Sequence, residues 1–365
     1  MIYFDHNSTT PIDDRVLAAM LPYLQTFYGN PSSLHKQGRI ARTAVDIARE
    51  QIAALVDAKP EQIIFTSGGS EANTLAFANA GQNSIYISAI EHPSVFETSQ
   101  ALANPLIVLP IEESGQITLA TLKKSEPKPG DFVSIMLANN ETGALQNIAD
   151  FAEYLNEREI KFHTDAVQAL GKIPVSFQKL GVQLMSLSSH KINGPKGCGA
   201  LVFNTALNLN PWQRGGNQEH GLRAGTENVA AIVGFGKAAE LAKLELEQSM
   251  INMQQLRSRL EQQLLEIPNL VIFAQQTPRL ANTLQFGISG YQGDMLLMQL
   301  DRHSIAVSSG SACSATSTEP SPVLQAMGID PQLAKSAIRI SLGKNNNEQE
   351  VDQFVQVLKT LVKTH

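Results

Sequence analysis

The run Ser188-Ser189-His190-Lys191-Ile192-Asn193-Gly194-Pro195-Lys196-Gly197 follows a short apolar segment, Leu184-Met185-Ser186-Leu187, that has the character of a buried strand. A lysine just past such a strand, beside His and Ser and before a Gly-Pro turn, suits covalent amine chemistry better than a solvated surface. In a dry pocket a lysine loses part of its proton affinity and can attack a carbonyl to form a Schiff base. The neighbouring hydroxyl and imidazole donors suit an anionic group. A surface loop with two ordinary lysines is the plainer alternative, and the run by itself leaves it open.

Three other runs carry chemistry of a matching kind. Thr66-Ser67-Gly68-Gly69-Ser70 follows the strand-like Gln62-Ile63-Ile64-Phe65 and opens a helix. Its amides and hydroxyls, with the helix dipole, make an anion site for which phosphate is the natural guest; an ordinary glycine-rich turn is the alternative. Glu91-His92-Pro93-Ser94 falls at a strand-to-helix turn. There His92 could stack on a planar ring or shuttle protons, or Ser94 could simply be an N-cap. His163-Thr164-Asp165-Ala166-Val167-Gln168 sets Asp165 just past a buried strand, where an unpaired carboxylate is costly. A pyridinium nitrogen would be a fitting partner. Gln168, three residues on along a helical face, could donate to a phenolic oxygen; Asp165 as a helix N-cap is the alternative. Asp165 and Lys191 lie on strand ends separated by one helix-plus-strand unit, so both converge on one edge of a parallel sheet. Taken together, the runs ask for an aldehyde cofactor with a phosphate and a pyridinium ring. Pyridoxal 5'-phosphate meets that description, with Lys191 as imine former and Ser188 and His190 as phosphate donors.

The rest of the chain must position these residues. It has 365 residues, 43% of them hydrophobic and 17% charged, with a net charge of −6. That is ample apolar material for a large core and gives no broad electrostatic case for nucleic acid or an anionic membrane. No apolar stretch reaches a membrane span's length. The first residues lack a basic region followed by an apolar core, so a cytoplasmic protein is expected. Cys198 and Cys313 are the only cysteines and lie far apart. A disulfide scaffold is therefore excluded and metal-type spacing is absent. His6, His35, His220, His303 and His365 show no metal-ligand spacing on a helix face either, so no metal is expected. Strand and helix patterns alternate, which predicts an α/β layered fold with parallel strands. Strands are expected at 84–88, 106–109, 132–137, 160–163, 183–187 and 200–203. Helices are expected from Asp13 to Tyr23 and from Leu34 to Val56. A long helical stretch from Glu227 to about Leu265 should link two domains and, given Gly234 and Gly236, not be one straight helix. Beyond it, strands near 283–286, 305–308 and 337–342 and helices near 294–301 and from Glu348 have the size of a small α+β domain. The expected division is a large domain over 13–250, and a small one formed by 1–12 with 251–365 that carries the Cys313 loop.

The chain resembles the class V aminotransferase-type enzymes that depend on pyridoxal phosphate and, within them, the cysteine desulfurases of the NifS/IscS kind. The resemblance runs along essentially the whole sequence. It rests on Asp5-His6-Asn7-Ser8-Thr9-Thr10-Pro11, on the four runs above, the glycine-rich one extended through Glu71-Ala72-Asn73, and on Asn139-Asn140-Glu141-Thr142-Gly143. It continues through Gly215-Gly216-Asn217-Gln218-Glu219, Arg223-Ala224-Gly225-Thr226 and Ser308-Ser309-Gly310-Ser311-Ala312-Cys313. It implies the aspartate aminotransferase-like fold type I: a large domain with a mainly parallel seven-stranded sheet, plus a small α+β domain. It further implies that Lys191 holds the cofactor as a Schiff base, His92 stacks on the ring, Asp165 pairs with the ring nitrogen, and Gln168 meets the ring oxygen. Gly69, Ser70, Ser188 and His190 would hold the phosphate, joined by Thr226 from a neighbouring subunit, which implies a homodimer with shared sites. Asn140 would contact cofactor and substrate, and Arg339 would fork the substrate carboxylate, for which a planar guanidinium has the right shape.

Cys313 selects the reaction. It lies in a loop of small polar residues, of the longer kind found in one type of these enzymes. The resemblance implies that L-cysteine is converted to L-alanine, with its sulfur left as a persulfide on Cys313 and passed to an acceptor protein. Iron–sulfur cluster, tRNA or cofactor biosynthesis could each be the destination. His92 is a candidate acid or base. Cys198 is expected in the core. Ser8 and Ser70 depart mildly from the Ala and Thr common in such enzymes. The chain ends at His365, where some relatives have a longer tail that docks an iron–sulfur scaffold, so that partner is not implied. A selenocysteine lyase, or an aminotransferase on the same fold with no need of Cys313, is the rival reading.

Overall fold

The computed structural model describes residues 1–309 and 320–363. Cys313 lies outside the described residues. Twelve strands are present among them: β1 (Ile2–Tyr3), β2 (Ile63–Thr66), β3 (Ile85–Ser88), β4 (Leu106–Leu109), β5 (Phe132–Ser134), β6 (Lys161–Asp165), β7 (Leu184–Ser188), β8 (Gly199–Phe203), β9 (Leu270–Ile272), β10 (Thr283–Ile288), β11 (Ile305–Ala306) and β12 (Ile338–Ser341). The helices are α1 (Asp14–Gln25), α2 (Lys36–Leu55), α3 (Gly69–Phe77), α4 (Pro93–Ala101), α5 (Leu119–Lys124), α6 (Ile148–Asn156), α7 (Phe177–Leu180), α8 (Val229–Leu264), α9 (Gly293–Arg302), α10 (Pro322–Ala326), α11 (Pro331–Lys335) and α12 (Glu348–Lys363).

The large sheet has seven strands in the order β2-β8-β7-β6-β5-β3-β4. Five of them, β4, β3, β5, β6 and β7, pair in parallel. Strand β8 runs antiparallel to both β7 and β2, so β2 points the same way as the parallel set. The strands are short and apolar on both faces, as expected where helices cover a sheet on both sides. Alternate residues divide between the faces. Ile63 and Phe65 join a core with Val45 and Ile52 of α2 and Phe235 of α8. Ile64 joins one with Leu75 and Phe77 of α3 and Val95 of α4. Because β2, β3, β6 and β7 point the same way, the runs that follow them all emerge on one sheet edge, where ligands bind in open α/β sheets.

A second core draws on Ile2, Phe4 and residues 256–358. It packs α8's C-terminal half, α9 and α12 against the antiparallel sheet β12-β10-β9. Strand β1 adds in parallel to β11, with Ile2 opposite Ile305. The chain therefore starts in the smaller unit, and residues 5–13 cross to the large one.

Three expectations need correction. First, α8 is one uninterrupted helix of 36 residues, about 54 Å long at 1.5 Å per residue. Gly234 and Gly236 do not break it. A Cβ on Gly236 would lie 2.6 Å from the Cα of Ala48, and one on Gly234 would lie 2.6 Å from the Met20 sulfur. Both glycines are there so that α8 can approach α1 and α2 closely, and this packing outweighs the roughly 1 kcal/mol cost of each glycine in a helix. Second, residues 167–172 form consecutive turns rather than a helix, so Gln168 does not share a helical face with Asp165. Third, β5 ends at Ser134, short of Leu137, and β11 ends at Ala306, short of Ser308. The sequence pattern missed β1 and β9, whose two and three residues are too short to show a period.

Candidate active site

A cavity of about 240 Å³ opens at the sheet edge. Gly69, Ser70, His92, Asn140, Asp165, Gln168, Ser188, His190 and Lys191 all line it. A neighbouring cavity of about 420 Å³ shares Ser8, Gly69, Ser70, Ser188 and His190 with it. Two of the expected site residues lie elsewhere. Thr226 is exposed, on the segment before α8. Arg339 stands behind the wall formed by Ser8 and Asn140.

The glycine-rich loop opens α3, leaving the helix's first amides available to an anion. Gly69 is required for space: a Cβ there would meet the Val167 side chain at 2.9 Å. The Ser188 hydroxyl, also on this side, is buried with no hydrogen-bond partner among the described residues. A buried donor left unsatisfied costs about 1–3 kcal/mol, and a bound phosphate would remove that cost. Burial, reinforced by Lys191, Lys196 and Lys172, pushes His190 down to about 4. Its neutral ring contacts the Thr9 hydroxyl at 3.1 Å.

Asp165 ends β6 with 6% of its surface exposed. Its Oδ1 accepts from the Val167 amide at 2.9 Å, and its Oδ2 from Asn73 Nδ2 at 2.8 Å. The carboxylate is thus held by donors on α3 and on its own loop. Asn73 Nδ2 also donates to the Ser94 hydroxyl at 2.9 Å, and that oxygen lies 2.8 Å from His92 Nδ1. His92, not Ser94, caps α4: its Nδ1 accepts the Ser94 backbone N–H at 3.1 Å. Since an N–H must donate, Nδ1 is an acceptor and Nε2 carries the proton of the neutral ring. Burial lowers the His92 pKa, with Asp165 opposing and Lys191 assisting.

Lys191 sits in a one-turn 3₁₀ segment directly after β7. Its Nζ donates to the carbonyls of Asn7 at 2.5 Å and Ser8 at 2.8 Å, both on the segment that crosses between the two units. The Asn139 side chain organises the next part of the wall. Its Oδ1 accepts the amides of Glu141 at 2.9 Å and Thr142 at 3.0 Å, closing a tight turn that displays Asn140. The Asn140 carbonyl receives Arg339 Nη1 at 3.0 Å. Arg339, 2% exposed, also donates through Nη2 to Asp5 Oδ1 at 2.7 Å and the Ser8 hydroxyl at 2.8 Å. These contacts use three of its five N–H donors. Its Nε has no partner among the described residues.

Cys198 is in the core, 2% exposed, with burial pushing its thiol up to about 12. That thiol is inert at neutral pH. Among the described residues no group of His, Cys, Asp or Glu is arranged to hold a metal ion. No helix there is long and apolar enough to cross a membrane.

The donor set fits pyridoxal 5'-phosphate. There is an amine for its aldehyde, a carboxylate for its ring nitrogen, a neutral imidazole in the wall, and an anion cradle with an unsatisfied hydroxyl. Residues that sequence reasoning did not place in the site are Asn7, Asn73, Ser94 and Lys172. Asn7 and Asn73 stood inside runs that carried the family resemblance. Lys172 had no signal at all, since a lysine seven residues past the end of β6 reads as surface.

The chain matches the class-V aminotransferase family over residues 2–354. It is 40% identical to the cysteine desulfurase IscS of Methanosarcina thermophila over 370 residues, covering 99% of this chain and 92% of that one. Cysteine desulfurase 1 of Trichormus variabilis is also 40% identical, over 99% of this chain and 93% of its own. Among solved structures, the NifS-like protein of Rickettsia africae superposes with a TM-score of 0.91 at 35% identity, covering 100% and 99% of the two chains. SspA, solved in complex with cysteine, superposes at 0.83 with 32% identity over 94% and 99%. The chain therefore belongs to the class-V aminotransferase family, and its fold is the type I fold of pyridoxal-phosphate enzymes. The relatives it matches within that family are cysteine desulfurases.

Proposed function

We propose that this chain is a cytoplasmic, homodimeric cysteine desulfurase that converts L-cysteine to L-alanine and hands the sulfur to an acceptor protein. The observation that carries this reading is the meeting of Lys191, Asp165, His92 and the unsatisfied Ser188 hydroxyl around one cavity, in a chain whose relatives are desulfurases.

When bound, pyridoxal phosphate would supply an electron sink, held through Lys191, Asp165, Gln168 and the phosphate cradle. The chain's own residues do the rest. Asp165, fixed by Asn73 and the Val167 amide, keeps a negative charge at the end of β6 for a protonated ring nitrogen. Lys191 Nζ takes the substrate's α-proton. His92, with its proton on Nε2, is placed to exchange a proton with substrate or product. Asn140 would receive the substrate carboxylate, and Arg339, which stands behind Ser8 and Asn140, would fork it once its contacts to Asp5 and Ser8 give way. The Cys313 thiolate attacks the substrate sulfur. An S–S bond forms as the substrate's C–S bond breaks, and the electron pair of that bond stays with the carbon, which is then protonated to give alanine. Thr226, exposed in the single chain, reaches the site of a second subunit. The sulfur acceptor is an iron–sulfur scaffold or another sulfur carrier protein.

The test is incubation with L-cysteine, measuring alanine and sulfide together. Cys313→Ala is expected to keep the visible absorbance of the bound cofactor and to lose sulfide release. Sulfide release at the wild-type rate from that variant would overturn the assignment of Cys313. Lys191→Ala is expected to lose the visible band, and an unchanged spectrum would overturn the cofactor reading. Pyruvate formed from alanine with a keto-acid acceptor would instead mark an aminotransferase, and a faster reaction with selenocysteine than with cysteine a selenocysteine lyase.

A further inference from the structure

Lys172 is a buried lysine that the proposed reaction does not use. It is 5% exposed, and no carboxylate forms an ion pair with it among the described residues. Its Nζ makes two hydrogen bonds, both to neutral amide oxygens: Gln168 Oε1 at 2.8 Å and Asn7 Oδ1 at 2.8 Å. Two N–H donors are what an uncharged amine possesses. Burial, with Lys191 and Arg339 nearby, holds the Lys172 pKa well below the ordinary lysine value.

Of the two amides that it grips, Gln168 lines the candidate cavity and Asn7 is buried beside Ser8 and Asn140, which also line it. Gln168 Nε2 donates to the Asn7 carbonyl at 2.9 Å, and that same carbonyl receives Lys191 Nζ. Asn7 Nδ2 donates to the Asn140 carbonyl at 3.1 Å and the Thr283 hydroxyl at 2.9 Å. A flipped Gln168 amide would set its NH₂ against the Lys172 N–H and its oxygen against the Asn7 carbonyl, opposing like with like at both contacts. A flipped Asn7 amide would oppose Lys172 and Asn282 in the same way, since both donate to Asn7 Oδ1.

We propose that Lys172 is a positioning residue: it locks the Gln168 and Asn7 amides so that Gln168 turns its remaining N–H toward the cavity, as a donor to the phenolic oxygen of bound pyridoxal phosphate. This rests on the cofactor reading above. It holds in either protonation state of Lys172, because an amine and an ammonium both donate. The other ionisable groups around Lys172 are Lys191, His6, His190 and the Arg339–Asp5 pair. Beyond them, the Asp13–Glu245–Lys344 cluster lines the small cavity that Lys172 shares with Lys191.

The experiment is a spectroscopic pH titration of the full chain reconstituted with pyridoxal 5'-phosphate, following the visible band of the cofactor bound at Lys191. A donor on the phenolic oxygen stabilises its negative charge and so lowers the pH at which the band converts. Lys172→Met is expected to raise that pH by about one unit, the equivalent of one ordinary hydrogen bond. Gln168→Leu is expected to raise it by a similar amount, and the double variant by no more than either alone. An unchanged titration in Lys172→Met, or additive shifts in the double variant, would overturn the proposal; additivity would mean that Lys172 acts through its charge and not through Gln168. If the methionine variant does not fold, Lys172→Leu, which also lacks a donor, replaces it in the same cycle. A wild-type chain without a visible band, or a band retained in Lys191→Ala, would overturn the cofactor reading itself and this proposal with it.

Discussion

Two walls of the cavity are built in different ways. The wall of Gly69, Ser70, Ser188 and His190 is made of residues within a few positions of strand ends in one sheet, and its Ser188 hydroxyl has no partner among the described residues. The wall of Ser8 and Asn140, backed by Asn7 and Arg339, joins segments up to 334 residues apart, and most of its donors are already spent on protein acceptors. The first wall is local and prepared for a ligand. The second is a cross-link between the two units and shapes the site through their docking. The contrast implies that damage to the first should weaken cofactor binding, whereas damage to the second should also loosen the fold.

The sharpest way to break this contrast is Arg339→Ala. It strands the Asp5 carboxylate and the Asn140 carbonyl, so stability is expected to fall by about 2–3 kcal/mol, less than for a fully buried pair because Asp5 is partly exposed. The KM for cysteine is expected to rise at least about tenfold, the loss of one charge-assisted contact. Denaturant unfolding and steady-state kinetics check both, and unaltered stability would mean that the second wall is no cross-link. Next in size is Asn73→Leu on the local side, which removes the donor to Asp165 and Ser94. A loss of about 1–2 kcal/mol is expected, with cofactor retention on dialysis falling several-fold while the cysteine KM stays near wild type. A KM change as large as that of Arg339→Ala would erase the distinction between the walls.

A third effect, seen only on acidification, concerns the sheet beneath both walls. His163 lies between Ser134 Oγ at 2.8 Å and Ser186 Oγ at 2.9 Å, and burial pushes its pKa down to about 3. The unfolded imidazole binds a proton near pH 6.5, whereas the folded one resists it until about pH 3. Stability is therefore lost as pH falls through that window, by about 2 kcal/mol at pH 5 from this group. Glu91 acts in the opposite direction. Burial raises its pKa to about 8, so its contribution is present at low pH and lost as pH rises from about 4.5 to 8. Comparing His163→Asn with wild type isolates the histidine: the variant's stability is expected to fall less between pH 7 and pH 5, as read from denaturant midpoints. Parallel curves would show that the ring is already charged in the folded chain.

The local wall was legible in the sequence, and the cross-linked wall was not. Short apolar runs just before Thr66, Glu91, Asp165 and Ser188 are short-range signals, and so is a glycine pair that opens a helix. The sheet's direction then brings those ends together. His92 was visible as a ring at a strand-to-helix turn, yet the cap was assigned to Ser94, because sequence cannot tell which neighbour offers the acceptor. Gln168 was placed on the site through a helical face that does not exist; turns bring it there instead. The continuity of α8 was misjudged because the need of Gly234 and Gly236 for close contact lies in α1 and α2, distant in sequence.

By itself the sequence determined the α/β architecture, the strand-end placement of Lys191, Asp165, His92 and the anion cradle, and the burial of Cys198. Each follows from local periodicity and residue type. The tertiary structure alone decided the hydrogen-bond partners: Asn73 on Asp165, Asn7 on Lys191, and Lys172 on Asn7. An amide or amine finds its partner only when packing has brought the two segments within about 3 Å, and no local pattern records a contact made across 92 residues or more.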